Sequence, residues 1–352
     1  MAMKPSPPNQ PLRKPKKKTQ RGEPWRDWAL ISLFTHAQLL AVALIDPAWY
    51  WLLPASLPFG FVLATGTLTI VHDAGHRRFS RHEWPNQFAV QTGVPLGFWV
   101  SHWGLKHRVH HKASQVYKVD EATTSSGMVR FHPAAPWRPI HRYQHIYAWA
   151  MYGLAGAGEL RSQVRFLLHG YIAGIEPPPL AQRWRSFLFE KVLWVLVLAP
   201  YAVLIGIGKL ALFVVLGMVV GSVLAAIVLV VGHINEGLNP PVVAPTPKEW
   251  SRHLVRTTAN FSTQSRPMRW ITGGMTHHLA HHLKPVAPRY ELPTLHKTLV
   301  REIAEKANEP LIDYPTLTQA TISHYRRLKD LGAGPGERPT VAPESARVTV
   351  TI

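Results

Sequence analysis

The sequence predicts an all-α membrane protein: four transmembrane helices in two hairpins, with a helical cytosolic cap that carries clustered histidines. Three observations predict it. Charge-free runs cover Trp28–Ile45, Pro47–Val71, Val192–Gly208 and Leu210–Asn235. Each is about long enough to cross a hydrocarbon core of roughly 30 Å as a helix. Lys and Arg gather in the segments between and outside these pairs, whereas the two predicted outer loops carry only Asp46 and Lys209. That asymmetry orients both ends and every histidine cluster toward the inner face.

In chain order, residues 1–24 are rich in Pro and Lys and predict a disordered basic tail. The first apolar run is long and has no small-residue cleavage site after it, unlike a removable signal peptide. Residues 25–330 form the membrane domain, with spans near 28–45, 48–71, 192–208 and 210–232. Trp49, Tyr50 and Trp51 follow Asp46-Pro47 and favour the interface, so a tight helical turn is expected there. Phe88–Trp103 is apolar but short and interrupted by Gln91, Gly93 and Pro95, which reads as an interfacial or re-entrant segment. The second hairpin turns at Lys209. Residues 72–191 and 233–330 make the cap, and 331–352, rich in Pro, Gly and Ala, predict a disordered tail.

Cysteine is absent, so any metal must be carried by His, Asp or Glu. The net charge of +19 raises the question of nucleic acid. The basic residues lie beside the spans and in the tail Arg13, Lys14, Lys16, Lys17, Lys18 and Arg21, a distribution that anionic lipid accounts for. No nucleic-acid module accompanies them, and no nucleic-acid partner is expected.

Three histidine clusters carry the chemistry: His72 and His76; His107, His110 and His111; His278, His281 and His282. Residues three and four apart share a helical face. Each cluster therefore presents its imidazoles together. Eight imidazoles exceed the three or four ligands of one zinc and suit a pair of redox metals, iron being the candidate that accepts imidazole. A single His pair at this spacing is as readily a surface patch, and 20 His in 352 residues produce some by chance. Three clusters beside membrane-length runs favour the metal. His277 projects about 100° away from His278. It is left outside the shell, as are His102, His132, His141, His145 and His169, which lack a partner at ligand spacing. Asp73, Asp120 and Glu236 are candidates to accept the second ring N–H of ligand histidines, and Trp99 and Trp103 to line a substrate path.

His72-x-x-x-His76, His107-x-x-His110-His111 and His278-x-x-His281-His282 resemble the three histidine boxes of membrane fatty-acid desaturases. His141 to Trp149, His233-Ile234-Asn235-Glu236-Gly237, and the run from Gly273 through Pro288-Arg289-Tyr290-Glu291-Leu292 resemble the linoleoyl-CoA, or front-end, branch. The resemblance covers about residues 28–330. It implies two iron ions under a cytosolic cap, dioxygen as co-substrate, and the eight box histidines plus His233 as ligands. It also implies an oxygen-dependent acyl desaturase acting on acyl-CoA or an acyl lipid in the membrane. Two departures stand out: the front-end branch often has Gln where His278 stands, and Lys112-Ala113-Ser114 replaces the Asn that often follows the second box. The chain has no His-Pro-Gly-Gly, so a separate electron donor is implied, a ferredoxin or cytochrome b5-type protein with its reductase. The missing haem domain favours a bacterial inner membrane, with the active site and both termini cytoplasmic. Two other readings remain open. The same boxes serve lipid, alkane or carotenoid hydroxylases and ketolases. A His-rich metal transporter would need ionisable ligands inside the spans, where only His36 precedes the terminal His233.

Overall fold

The structure is a computed structural model that describes residues 22–334 except 124–126 and 174. The expected tails, 1–24 and 331–352, fall mostly outside the described residues; within them, 22–24 open the first helix and 331–332 close the last. Among the described residues the protein is mostly helical, and four helices are long and apolar enough to cross a membrane: α1 (Gly22–Ile45), α2 (Trp49–Gly75), α7 (Leu180–Ile205) and α8 (Ile207–Val230). Between and after them lie α3 (Glu83–Gly93), α4 (Val100–Lys112), α5 (Gln144–Gly153), α6 (Ala155–His169), α9 (Trp250–Thr257), α10 (His278–Leu283) and α11 (Leu317–Gly332). Shorter helical turns fill the intervals, and two parallel two-residue strands pair Asn260 with Asp313 and Phe261 with Tyr314.

Asp46, at φ 47°, leads from α1 into Pro47, and Gly206, at φ 82°, turns α7 into α8. The second turn thus falls three residues before Lys209, because glycine reaches that φ without a Cβ clash. Lys209 instead lies in the first turn of α8 and pairs with Asp46, so the charges at the two turns neutralise each other. The third span also starts earlier than its charge-free run. Arg183, Glu190 and Lys191 belong to α7, and Arg183 and Glu190 are buried, which removes their charges from the lipid-facing surface. Phe88–Trp103 does not span: it divides into the end of α3 and the start of α4.

The core of the span bundle is the pair α2 and α8. Phe59 stacks on Phe213 with ring centroids 4.5 Å apart. A Cβ on Gly217 would lie 2.4 Å from Phe59, and one on Gly60 would lie 2.5 Å from Val220. Small residues let the two backbones approach closely, which drives helix association where lipid offers no hydrophobic gain. Ile31 and Leu39 of α1 and Val90 and Val94 around α3 complete this core.

Polar anchors set the height of the remaining helices. Glu190, fully buried on α7, accepts from the Val100 N–H at 2.8 Å and from Gln87 and Gln91 at 3.1 and 3.3 Å. A carboxylate thereby satisfies an orphan donor at the first turn of α4. A second set joins α1 to the segments that follow the first and third histidine clusters. Arg78 bridges Asp73 (2.7 Å) and Glu23 (3.0 Å). Arg289 pairs with Asp27, which also accepts from the Trp270 indole N–H at 3.2 Å. Asp27 and Arg289 are buried. Removing Asp27 leaves the buried Arg289 charge with only the longer pair to Glu23, at 3.5 Å, in a medium that solvates it poorly. Asp27→Leu is therefore expected to cost about 3–5 kcal/mol, read as a lowered thermal midpoint in detergent. The double variant Asp27→Leu with Arg289→Met should recover a large part of that loss.

Candidate metal centre

The three clusters reach one place by different local routes. The C-terminal end of α2 passes through a π-helical turn, Thr67–Val71, directly before His72. Thr67 and Thr69 return their hydroxyls to the carbonyls of Leu63 and Thr65. Such back-bonding loosens a helix, and π-turns gather at functional sites. His76 sits at the end of the same helix. His107, His110 and His111 lie on the last turns of α4, and His278, His281 and His282 on α10. His233 follows Gly232 just beyond α8.

The nine expected imidazoles come together as two adjoining groups. Ligand atoms of His72, His76, His107, His111 and His281 all lie within 4.8 Å of one another, and so do those of His110, His233, His278 and His282. The groups touch: the rings of His111 and His282 are 4.4 Å apart. The groups cut across the boxes, for His110 leaves His107 and His111, and His281 leaves His278 and His282.

The spacing within the first group shows what it accepts. Four Nε2 contacts run in series: His72 to His281 (3.0 Å), His281 to His111 (3.0 Å), His111 to His107 (3.1 Å) and His107 to His76 (3.0 Å). A neutral imidazole nitrogen carries one hydrogen or one lone pair, so it takes part in one hydrogen bond. At most two of the four contacts can then be hydrogen bonds. The others set lone pair against lone pair or hydrogen against hydrogen. A cation removes the conflict by accepting every lone pair. Adjacent donors around an octahedral metal with bonds of about 2.1 Å are about 3 Å apart, the spacing observed. In the second group His233 Nε2 lies 3.1 Å from His110 and 3.2 Å from His282, and the same reasoning applies.

Electrostatics agree with ligation. Burial first, then neighbouring imidazoles, pushes His76, His107, His111, His278, His281 and His282 well below the usual histidine range. Burial, with a contribution from His110, lowers His233 to about 3. Neutral imidazole is the form that binds a metal. The second nitrogens have partners in two cases: His110 Nδ1 lies 2.8 Å from Asp120, and His233 Nδ1 donates to the Thr257 carbonyl at 2.8 Å. Burial alone would raise Asp120, but His110 and the Gln115 and Ala122 amides hold it below the usual carboxylate range.

Of the three expected carboxylates, only Asp120 faces a ligand. Asp73 is 3.9 Å from His72 Nδ1 and is engaged by Arg78. Glu236 points outward toward Arg326 at 3.8 Å. Each serves an arginine because those partners lie on the solvent or α1 side of its backbone. The histidines left out of the shell are elsewhere: His102 pairs with Glu159, His132 and His141 meet the carbonyls of Pro241 and Gly127, and His277 meets Thr276. Trp103 stacks on His107 at 4.4 Å and fixes that ring, whereas Trp99 is packed among Phe166, Phe187 and His102. Sequence reasoning missed Gly232. A Cβ there would lie 2.3 Å from His278 Nδ1. Its only sequence signal is its place immediately before His233.

With this geometry in view, comparison with known proteins gives a consistent answer. A family model described as fatty acid desaturase matches residues 47–315. The chain is 25% identical over 318 residues to an sn-1 linoleoyl-lipid 6-desaturase of Synechocystis sp., covering 84% of this chain and 87% of the relative. The corresponding enzyme of Arthrospira platensis is 24% identical over 82% of this chain and 80% of the relative. An acyl-lipid (8-3)-desaturase of Physcomitrium patens is 27% identical over 79% of this chain and 60% of the relative.

Two substitutions test the support around the imidazoles. Asp120→Ala frees the His110 ring and should weaken metal retention about 10–100-fold. Gly232→Ala pushes on His278 and should reduce the metal bound per chain while leaving the helical circular dichroism unchanged. Metal analysis after dialysis against a chelator checks both.

Proposed function

The chain belongs to the fatty acid desaturase family, and from that premise we propose a specific centre for it. Two iron ions are held side by side, one by His72, His76, His107, His111 and His281, the other by His110, His233, His278 and His282. The protein is an acyl desaturase, an oxidoreductase of a family that uses iron, and it is a membrane protein. The pairing of five and four imidazoles at metal-ligand spacing is the observation that supports two ions rather than one. When bound, the iron pair would supply the oxidation: dioxygen, two electrons from a donor protein, two protons from solvent and two hydrogens from neighbouring methylenes give the double bond and two waters. The chain's own residues hold and shield. Asp120 and the Thr257 carbonyl orient His110 and His233, Trp103 braces His107, and burial keeps bulk water away.

The substrate is the acyl chain of a membrane glycerolipid. Relatives named for linoleoyl-lipid and acyl-lipid desaturation support this over acyl-CoA, and they support the front-end branch. Residues 25–330 form one membrane domain, in which α1 with α2 and α7 with α8 are two hairpins. The histidines lie under a cytosolic cap on the inner face of a bacterial inner membrane, an orientation supported by the distribution of Lys and Arg. Electrons come from a separate ferredoxin or cytochrome b5-type protein with its reductase.

Expression with a ferredoxin and its reductase, followed by fatty-acid analysis, is expected to give a new double bond, and the purified protein to carry two irons. His110→Ala and His281→Ala each take one imidazole from a different group. Both should abolish the product while the protein still inserts. A hydroxylated product, exchangeable zinc, or unchanged product in both variants would overturn the reading.

A further inference from the structure

Helices α5 and α6 were expected to lie in the cap, yet they pack against the middle of a spanning helix. Gly153 closes α5, and a Cβ there would lie 3.1 Å from Val219 and 3.6 Å from Val223. Gly156 opens α6, and a Cβ there would lie 2.8 Å from Met218 and 3.3 Å from Ser222. All four neighbours are on α8. Counted from the far turn at Gly206, residues 218–223 lie about 18 to 26 Å along that helix, inside a hydrocarbon core of roughly 30 Å. The elbow between α5 and α6, at Leu154, is therefore well below the membrane surface.

The outward face of the pair has the matching chemistry. Ile146 is 62% exposed, Leu154 54%, Leu160 44% and Val164 51%. Ala150, Ala155, Ala157 and Gly158 are exposed between them. From Ile146 to Leu160 the one charged residue, Glu159, turns inward to His102 (3.1 Å) and Lys106 (3.0 Å) on α4, and the exposed Arg161 follows directly, between Leu160 and Val164. Tyr152 likewise faces inward, its hydroxyl 2.6 Å from His324 on α11. Exposed Arg142 and Arg165 flank the apolar stretch and Arg161 stands near its end, as expected where side chains reach toward lipid phosphates. The glycines allow close approach to α8, and the face they leave outward is continuous with the lipid-facing surface of the spans. In both helices the backbone is paired internally, which is the condition for sitting in hydrocarbon.

We propose that α5 and α6 form a re-entrant helical hairpin, its elbow at Leu154 seated among the acyl chains of the leaflet on the metal-centre side. The hairpin is a fifth membrane element that enters and leaves by one face. It anchors the histidine cap within the bilayer rather than above it. The inference rests on the reading of four helices as membrane spans.

The chain has no cysteine, so single-cysteine variants report without background. In membrane vesicles with the metal-centre face outward, Leu154→Cys, Leu196→Cys on α7 and Lys248→Cys in an exposed loop are treated with a charged, impermeant maleimide. Retained desaturation confirms folding of each variant. Thiolate is the reactive species, so Leu154→Cys is expected to label at least about tenfold more slowly than Lys248→Cys, like Leu196→Cys. A nitroxide at position 154 should be relaxed strongly by dissolved oxygen and weakly by a water-soluble nickel chelate. Labelling of Leu154→Cys at the Lys248→Cys rate would overturn the proposal. So would protection from both oxygen and nickel, which indicates a second protein surface over the elbow. Rapid labelling of Leu196→Cys would instead overturn the reading of the spans.

Discussion

Nine imidazoles, with ring nitrogens about 3 Å apart where they meet, cannot satisfy one another. The first group alone has more nitrogen contacts than it has hydrogen bonds to fill them. Crowding of this kind is tolerable only if a cation collects the lone pairs, and burial keeps the rings in the form that can donate them. The rest of the fold acts to hold four distant chain segments against that mutual repulsion.

The long apolar helices and the segments between them divide that work. The α2 and α8 pair delivers His72, His76 and His233 to one level, because glycines let Phe59, Phe213 and Val220 close the seam. Glu190 reaches from α7 to the first turn of α4 and so sets the height of His107, His110 and His111. The ion pairs of Asp27, Arg289, Glu23, Arg78 and Asp73 tie α1 to the segments that follow the first and third boxes. Ionic contacts buried this deeply contribute little net stability over an apolar core. They are directional, however, and a metal centre needs orientation as much as strength. The same division places the clustered imidazoles at the ends of the long apolar helices, where a centre of this kind meets the membrane.

Much of this was legible in the residues. Charge-free runs marked the four long helices, and interfacial aromatics marked the first turn. The spacing of the boxes singles out the eight imidazoles that, with His233, come together in the structure, and Asp120, one of three candidate carboxylates, lies 2.8 Å from His110. Errors arose where a local rule met a partner from elsewhere. Charge alone places the start of the third span near residue 192, yet its helix begins at Leu180 and buries Arg183 and Glu190 through contacts with Phe166, Gln87 and Val100. Asp73, although beside His72, belongs to Arg78.

The residues by themselves determined which segments are apolar helices and which imidazoles share a helical face, because both follow from a period of 3.6 residues. Which imidazole serves which group was decided only by the tertiary structure. On a helix, positions i and i+4 diverge by about 40°, whereas i+3 leans about 60° the other way. His107 with His111, and His278 with His282, therefore stay together, while His110 and His281 fall to the opposite flank. That split has meaning only once α4 and α10 face each other across α2 and the end of α8, a relation set by packing between segments some two hundred residues apart.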